Sequence, residues 1–489
     1  MRLWLCIHVP LLPLEAIRPS WSEPGCYAVL QQGRVLVASH EALSNGVRFG
    51  MRAGGVATVS PATIVLDRNL DKEGIALNAI AIALLQFTPE VTCADDFCIL
   101  LDVSASLTLF NGPLAICRRI NASVKALGFT MTLGAAPTAT GAWLLSRSHR
   151  KKFRPLRHRA VTMKTLTALL NHLSCTSLSA TLPYAEWLSG IGACTLGDLR
   201  KLPRPGLLRR TDQHLLEELD RAYGLAPELF DWIKTPATFS ARMETFDRIE
   251  HADALMFGAT RLILQLIGWL VSLQQAVSIF VLHLEHERGR YAIAPTEIEI
   301  GLAESAWHEE HLIRLLQERL GRIELVAPVI AIRLEVRKVT AMLPPTMSLF
   351  PEPGGSPADL NRLLELLIAR LGKSNVLTPA CVDDYRPEIC NTWVPATDKL
   401  SNKNESSNIV ERPFWILAKP IALLMRDDRP FYGSPLKLVR GPERVEAGWW
   451  DSQTIARDYF VAQNTESSCY WIYLERTSEP HWFLHGLYA

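Results

Sequence analysis

No Cys-x-x-Cys pair occurs in this sequence. Its ten cysteines, Cys6, Cys26, Cys93, Cys98, Cys117, Cys175, Cys194, Cys381, Cys390 and Cys469, are scattered. That argues against a zinc site and fits reduced thiols in a cytoplasmic protein. An excess of either charge is also missing: 51 Lys plus Arg stand against 50 Asp plus Glu, a net charge of +1. Any basic surface for nucleic acid must therefore be local. No secretory signal is expected, because prolines at 10 and 13 interrupt the apolar start and no small-residue cleavage site follows. Charge is absent from Leu262 to Leu284, a run long enough to span a bilayer. Ser272, Gln274, Gln275 and Ser278 split it, so it reads as a buried helix followed by a buried strand, with no membrane expected.

What is present is a globular composition. Of 489 residues, 48% are hydrophobic and 21% charged, enough for roughly three domains. Residues 3–9 form an apolar run closed by Pro10, the pattern of a buried central strand. Strands are expected at 35–39 and 97–103, with helices at 74–87 and 114–127, giving a mixed α/β region over residues 1–160. Arg147 to Arg159 is the densest basic run, with seven Lys or Arg, two His and no acid. It suits either a solvated loop or a connector whose Arg150, Lys151, Lys152 and Arg154 contact phosphates.

Residues 161–235 read as all-helical. Inside them lies Leu188-Ser189-Gly190-Ile191-Gly192, the hairpin pattern of a helix-hairpin-helix, in which Gly190, Ile191 and Gly192 bring backbone N–H groups to a phosphate. A plain helix–helix turn also fits. Residues 236–342 repeat strand–helix–strand twice, which predicts an α+β domain with helices on one sheet face. The alternation of Ile332, Leu334 and Val336 with Arg333, Glu335 and Arg337 leaves basic positions outward, where a duplex backbone could lie. Residues 343–410 are linker-like, with a helix at 358–371 and a polar spacer. Residues 411–489 are rich in aromatics, which serve either as core or as a partner surface.

Several segments together resemble Y-family translesion DNA polymerases. Glu-Ala-Leu-Ser-Asn-Gly-Val-Arg-Phe-Gly-Met at 41–51 resembles their fingers motif, and Leu-Asp-Val-Ser-Ala-Ser-Leu-Thr-Leu-Phe-Asn-Gly at 101–112 a palm segment. The apolar start and the stretch Gly441 to Ala489 are similar to the ImuB branch of that family. The resemblance implies an α/β multidomain right hand of palm, fingers, thumb and little finger, plus a C-terminal extension. It also implies damage-induced (SOS) mutagenic repair. The partners implied are primer–template or damaged DNA, the sliding clamp (beta subunit), an ImuA-like protein and an error-prone polymerase III alpha-type subunit. The C-terminal region, 411–489, would be the partner-binding module.

Polymerisation needs paired Mg²⁺ ions held by hard carboxylate oxygens. In this match the first-strand carboxylate is replaced by His8, a poor Mg²⁺ ligand, and the second acidic position by Pro10. Aligning on Leu101-Asp102-Val103 puts Phe97 and Cys98 where the hairpin Asp-Glu belongs, whereas a slide of two residues would put Asp95 and Asp96 there. Leu43 occupies the position of a phosphate-neutralising arginine. These degraded positions point to a non-catalytic scaffold with no metal or other cofactor. The rival is an active translesion polymerase with a rebuilt Mg²⁺ site using Asp95, Asp96 or Asp102. Finally, Thr346-Met347-Ser348-Leu349-Phe350 resembles a clamp-binding pentapeptide in which Leu349 and Phe350 fill a hydrophobic pocket. Thr346 stands in place of the usual glutamine.

Overall fold

The structure, a computed structural model, describes residues 2–148, 158–287, 293–342, 357–382, 384–396, 412–451, 453–476 and 479–488. The chain divides into two compact units, Met1–Ala358 and Asp359–Ala489.

In the first unit, β1 (Trp4–His8) precedes the short α1 (Leu12–Glu15). Then come β2 (Tyr27–Gln31), β3 (Arg34–Ala38), α2 (His40–Ser44), α3 (Ala53–Val59) and β4 (Ile64–Asp67). The sheet β3-β2-β4 and these helices close over Ala28, Val35, Val47 and Val56, forming a fingers-like subdomain. The palm-like layer follows with α4 (Leu70–Leu84), β5 (Val91–Ala94), β6 (Cys98–Asp102), α5 (Pro113–Ala126), β7 (Thr132–Ala136) and α6 (Ala139–Arg147). Its sheet runs β5-β6-β1-β7 with antiparallel neighbours.

β1 is apolar from Trp4 to Ile7 because both of its faces are covered there. Trp4 and Cys6 join Cys98 and Leu100 on the face under α6. Leu3, Leu5, Ile7 and Val9 join Ile99 and Leu101 on the face under α4 and α5. The two-residue side-chain period of a strand sorts one sequence into two cores.

Helices α7 (Met163–Leu170), α8 (Ala185–Gly190), α9 (Leu196–Lys201), α10 (Arg204–Arg210) and α11 (Gln213–Ala222) form the thumb-like region. Their apolar sides extend the first palm core through Leu166, Leu188, Leu199 and Leu215. α9 starts with a capping box in which Thr195 and Asp198 satisfy each other's backbone N–H.

Next come β8 (Ser240–Ile249), α12 (Leu255–Ser272), β9 (Gln275–His286), β10 (Thr296–Ala306), α13 (Glu309–Leu320) and β11 (Val329–Ala341). The sheet order is β10-β9-β11-β8, with α12 and α13 on one face over Phe280, Leu282, Ile332 and Leu334. α12 is apolar and long enough to cross a membrane, yet 72% of its most apolar window is buried in this protein. The uncharged run is thus the expected core helix and strand.

α12 also reaches into the palm-like layer, where Leu264 is buried in the second palm core. Gly268 permits that approach: a Cβ there would sit 1.9 Å from the carbonyl oxygen of Ile82 in α4.

In the second unit, α14 (Pro357–Leu371) precedes the hairpin β12 (Leu377–Cys381) and β13 (Asn391–Pro395). β14 (Trp415–Ala422) is followed by a ribbon of β15 (Leu424–Arg426), β16 (Arg429–Tyr432) and β17 (Ser434–Pro435). Then β18 (Lys437–Ala447), β19 (Ile455–Gln463), β20 (Cys469–Glu475) and β21 (Trp482–Leu487) complete a sheet ordered β14-β21-β20-β19-β18. Tyr459, Trp471 and Tyr473 are core; the first two stack on His485 and Tyr473 meets it edge-on, whereas Trp449 and Trp450 stay 77% and 52% exposed. Trp450 lies under the guanidinium of Arg386, which is fixed by Asp384 and Asp451 at 2.8 and 2.6 Å.

Candidate functional site

The ladder fixes the hairpin register that the sequence left open. His8 lies opposite Cys98 on β6 and opposite Thr132 on β7. Asp95, Asp96 and Phe97 form the tight turn from β5 into β6, with Asp96 and Phe97 both at φ 57°. The residue facing His8 is therefore a buried cysteine, and its side chain points into the core beside Cys6. Burial and the neighbouring Cys98 hold the Cys6 thiol well above its usual range.

The carboxylates do not converge. Asp96 is ion-paired with Arg147 at 2.7 Å, and that guanidinium stacks on Trp143 at 4.2 Å. Asp95 lines a different cavity, shared with His214, Glu218 and Arg221. Asp102 pairs with Trp4 at the opposite end of the ladder, about 13 Å along the strand. There its carboxylate binds the Ser104 amide at 2.9 Å and lies 3.7 Å from Arg2. Among the described residues no group of three or more His, Cys, Asp or Glu is placed to hold a metal ion. A Mg²⁺ pair needs hard oxygen ligands facing one point, and these residues do not fit it.

His8 is half-buried, and its Nδ1 is 3.2 Å from the Thr132 hydroxyl, which donates to the Ser146 carbonyl at 2.8 Å. With Pro10 it opens onto a cleft of about 970 Å³. Arg118, Arg147, His158 and Arg159 line the same cleft, and none of its described lining residues is acidic. Arg147 is already paired with Asp96, so the positive charge at this end of β1 comes from Arg118 and Arg159, and it favours phosphate over a divalent metal. Arg118 was missed by sequence reasoning. Its only signal was the adjacent pair Arg118-Arg119, and the cluster forms only when α5, α6 and the residues after 157 fold together.

Leu43 is partly buried against the fingers-like core, with Cys26 and Met51. It is a packing residue of that core. At the thumb-like hairpin Gly190, Ile191 and Gly192 are all exposed. Gly192, at φ +80°, ends α8 in a Schellman arrangement: Ala193 N–H reaches the Leu188 carbonyl at 2.9 Å and Gly192 N–H that of Ser189 at 3.0 Å. The pattern therefore has a local reason, and those two donors are already used.

The outward arginines of the little-finger-like sheet are also engaged. Arg337 pairs with Glu297 and Glu299 at 2.9 and 2.5 Å. Arg242 meets Glu285 and Glu244, each at 2.9 Å, and Arg333 meets Glu335 at 3.5 Å. These outward positions form a checkerboard of both signs, because Arg337 and Arg242 reach glutamates two strands away in the sheet while Arg333 and Arg242 also meet glutamates on their own strands. Arg150, Lys151, Lys152 and Arg154, and Thr346, Met347, Ser348, Leu349 and Phe350, lie outside the described residues.

Comparison with known proteins adds to this geometry. Residues 20–147 match the impB/mucB/samB family. The chain is similar to two curated proteins called Protein ImuB, from two strains of Caulobacter vibrioides. Each is 22% identical over 468 residues, which cover 91% of this chain and 100% of the relative. Two solved structures also resemble it. A Dbh ternary complex with partially disordered substrates shares 15% identity, covers 70% of this chain and 100% of its own, and has a TM-score of 0.40. An insertion ternary complex of Dbh DNA polymerase shares 14%, covers 69% and 99%, and has a TM-score of 0.40. The expected likeness stands: the chain resembles the ImuB proteins, matches the impB/mucB/samB family over residues 20–147, and folds as a mixed α/β unit followed by a strand-rich C-terminal unit.

Proposed function

We propose that this ImuB-like chain is a non-catalytic polymerase-like scaffold in damage-induced mutagenic DNA repair. It binds primer–template DNA and connects the sliding clamp with an error-prone polymerase III alpha-type subunit and an ImuA-like protein. The observation that supports the absence of catalysis is the end of β1, where His8 faces Cys98 and arginines line the cleft. Losing the carboxylates that hold the metals removes most charge stabilisation in the transition state. DNA contact is assigned to the basic connector with Arg150, Lys151, Lys152 and Arg154; the tip Gly190–Gly192, whose N–H groups bond within the hairpin, adds at most its exposed surface. Such contacts recognise backbone and not base sequence. Met347, Leu349 and Phe350 are assigned to the clamp. The C-terminal unit, with Trp449 and Trp450 exposed, is assigned to the partner proteins. The setting for all of this is the cytoplasm.

Primer extension with purified protein, dNTPs and Mg²⁺ or Mn²⁺ tests the reading, alongside DNA binding by the same preparation. No extension with DNA binding intact is the expected result. Extension that disappears in Asp95→Ala/Asp96→Ala would establish the rival, an active translesion polymerase.

A further inference from the structure

A second cavity, of about 460 Å³, lies within the first unit between α4 and the pair β8 and α12. Its volume falls within the ~300–1,000 Å³ of small-molecule sites. Ile75, Ala79 and Ile82 of α4 supply apolar wall on one side, and Phe239 and Met243 on the other. Arg261 of α12 also lines it, and this residue is only 6% exposed.

Arg261 differs from the other arginines around this junction. Arg68 pairs with Glu73 at 2.7 Å, Arg242 with Glu285 at 2.9 Å, and Arg18 approaches Asp247 at 3.9 Å. The Arg261 guanidinium rests 4.7 Å from the ring centroid of Phe129, and among the described residues it has no carboxylate partner. A guanidinium is too basic to shed its charge at neutral pH. Burial pulls this one down to about 10, which still leaves it protonated at pH 7. A buried, unpaired cation is costly, and one aromatic face offsets only part of that cost.

At the cavity wall, Lys72 of α4 bonds Glu244 of β8 at 3.2 Å, and Arg242 holds the same carboxylate at 2.9 Å. Glu244 is thereby neutralised and does not repel an entering anion. The remaining acid of the lining, Asp71, sits on the exposed first turn of α4.

We propose that this cavity binds a small amphipathic anion, a single carboxylate or phosphate on a compact apolar body, with Arg261 as its charge anchor. Such a ligand touches the palm-like helix and the little-finger-like domain at once, so its binding favours their docked arrangement.

Isothermal titration of the full chain with phenylphosphate, benzoate and uncharged benzyl alcohol tests this. The first two separate phosphate from carboxylate, and the third reports apolar burial alone. Wild-type protein is expected to bind at least one anion with 1:1 stoichiometry, tenfold or more tightly than benzyl alcohol. Arg261→Leu should lose that preference and, without ligand, melt at a higher temperature, because it removes the unpaired buried charge. Arg261→Lys should retain a weakened preference. Equal affinity for the anions and benzyl alcohol in the wild type overturns the proposal. So does undiminished anion binding by Arg261→Leu, which would move the site to the arginine-lined cleft. An Arg261→Leu protein that melts below wild type, in a wild type indifferent to anions, would make Arg261 a packing residue on Phe129.

Discussion

Replacing Gly268 by alanine probes how firmly the little-finger-like domain is seated on the palm-like layer. The new Cβ would lie 1.9 Å from the Ile82 carbonyl oxygen and 2.8 Å from the Ala83 Cα. Ordinary contacts begin near 3.4 Å, so α12 and α4 would have to separate by more than an ångström. Both obstacles are helix backbone, and no rotamer change relieves them. Overpacking of this kind costs about 1–3 kcal/mol. Removing a glycine from a helix interior acts in the opposite direction, by about 0.5–1 kcal/mol. Gly206 in α10 is the internal control, because nothing lies within 4 Å of a Cβ built there. Gly206→Ala should stabilise the protein by about 0.5–1 kcal/mol, whereas Gly268→Ala should destabilise it by about 1–2 kcal/mol. The latter corresponds to a fall of a few degrees in melting temperature. Scanning calorimetry on the full chain reads both variants. A Gly268→Ala protein that melts at or above Gly206→Ala would refute the close helix approach.

Two further outcomes follow. Leu349→Ala with Phe350→Ala should abolish clamp binding in surface plasmon resonance while DNA affinity is unchanged; undiminished clamp binding would discard that segment as the contact. In the second unit, burial holds the His485 imidazole below its usual 6.5, with Glu388 opposing the shift. The unfolded chain therefore takes up this proton first as pH falls, so stability is full above about pH 6.5 and declines below it. His485→Gln should flatten the melting-temperature profile between pH 7 and 5, and an unchanged slope would show that other groups set it.

Local patterns made much of the scaffold legible. The apolar run at 3–9 and the twin strand–helix–strand region correspond to β1 and to β8 through β11, because their side-chain periods record which faces are covered. That His8 and Leu43 stand where charges are expected is what the resemblance implies, at known points of a motif. The hairpin register was not, because Asp95-Asp96 and Phe97-Cys98 differ by a two-residue shift that preserves strand parity. Only the pairing of His8 with Cys98 decides between them. The little-finger-like arginines failed for a related reason. The alternation on β11 shows where Arg333 and Arg337 point, but Glu297 and Glu299 arrive from another strand. Arg261 was hidden for the same cause, a single arginine in an apolar helix whose isolation appears only when its neighbours are known.

Leu264 has a consequence in time. The palm-like sheet ends with Ala136, yet the core beneath it is completed by a side chain made much later. At ordinary translation rates the interval is on the order of ten seconds. During it, the surface that Leu264 will cover faces solvent or a chaperone. Synthesis that stops within the thumb-like region therefore leaves a palm with an unfilled seat, a natural target for cellular proteolysis.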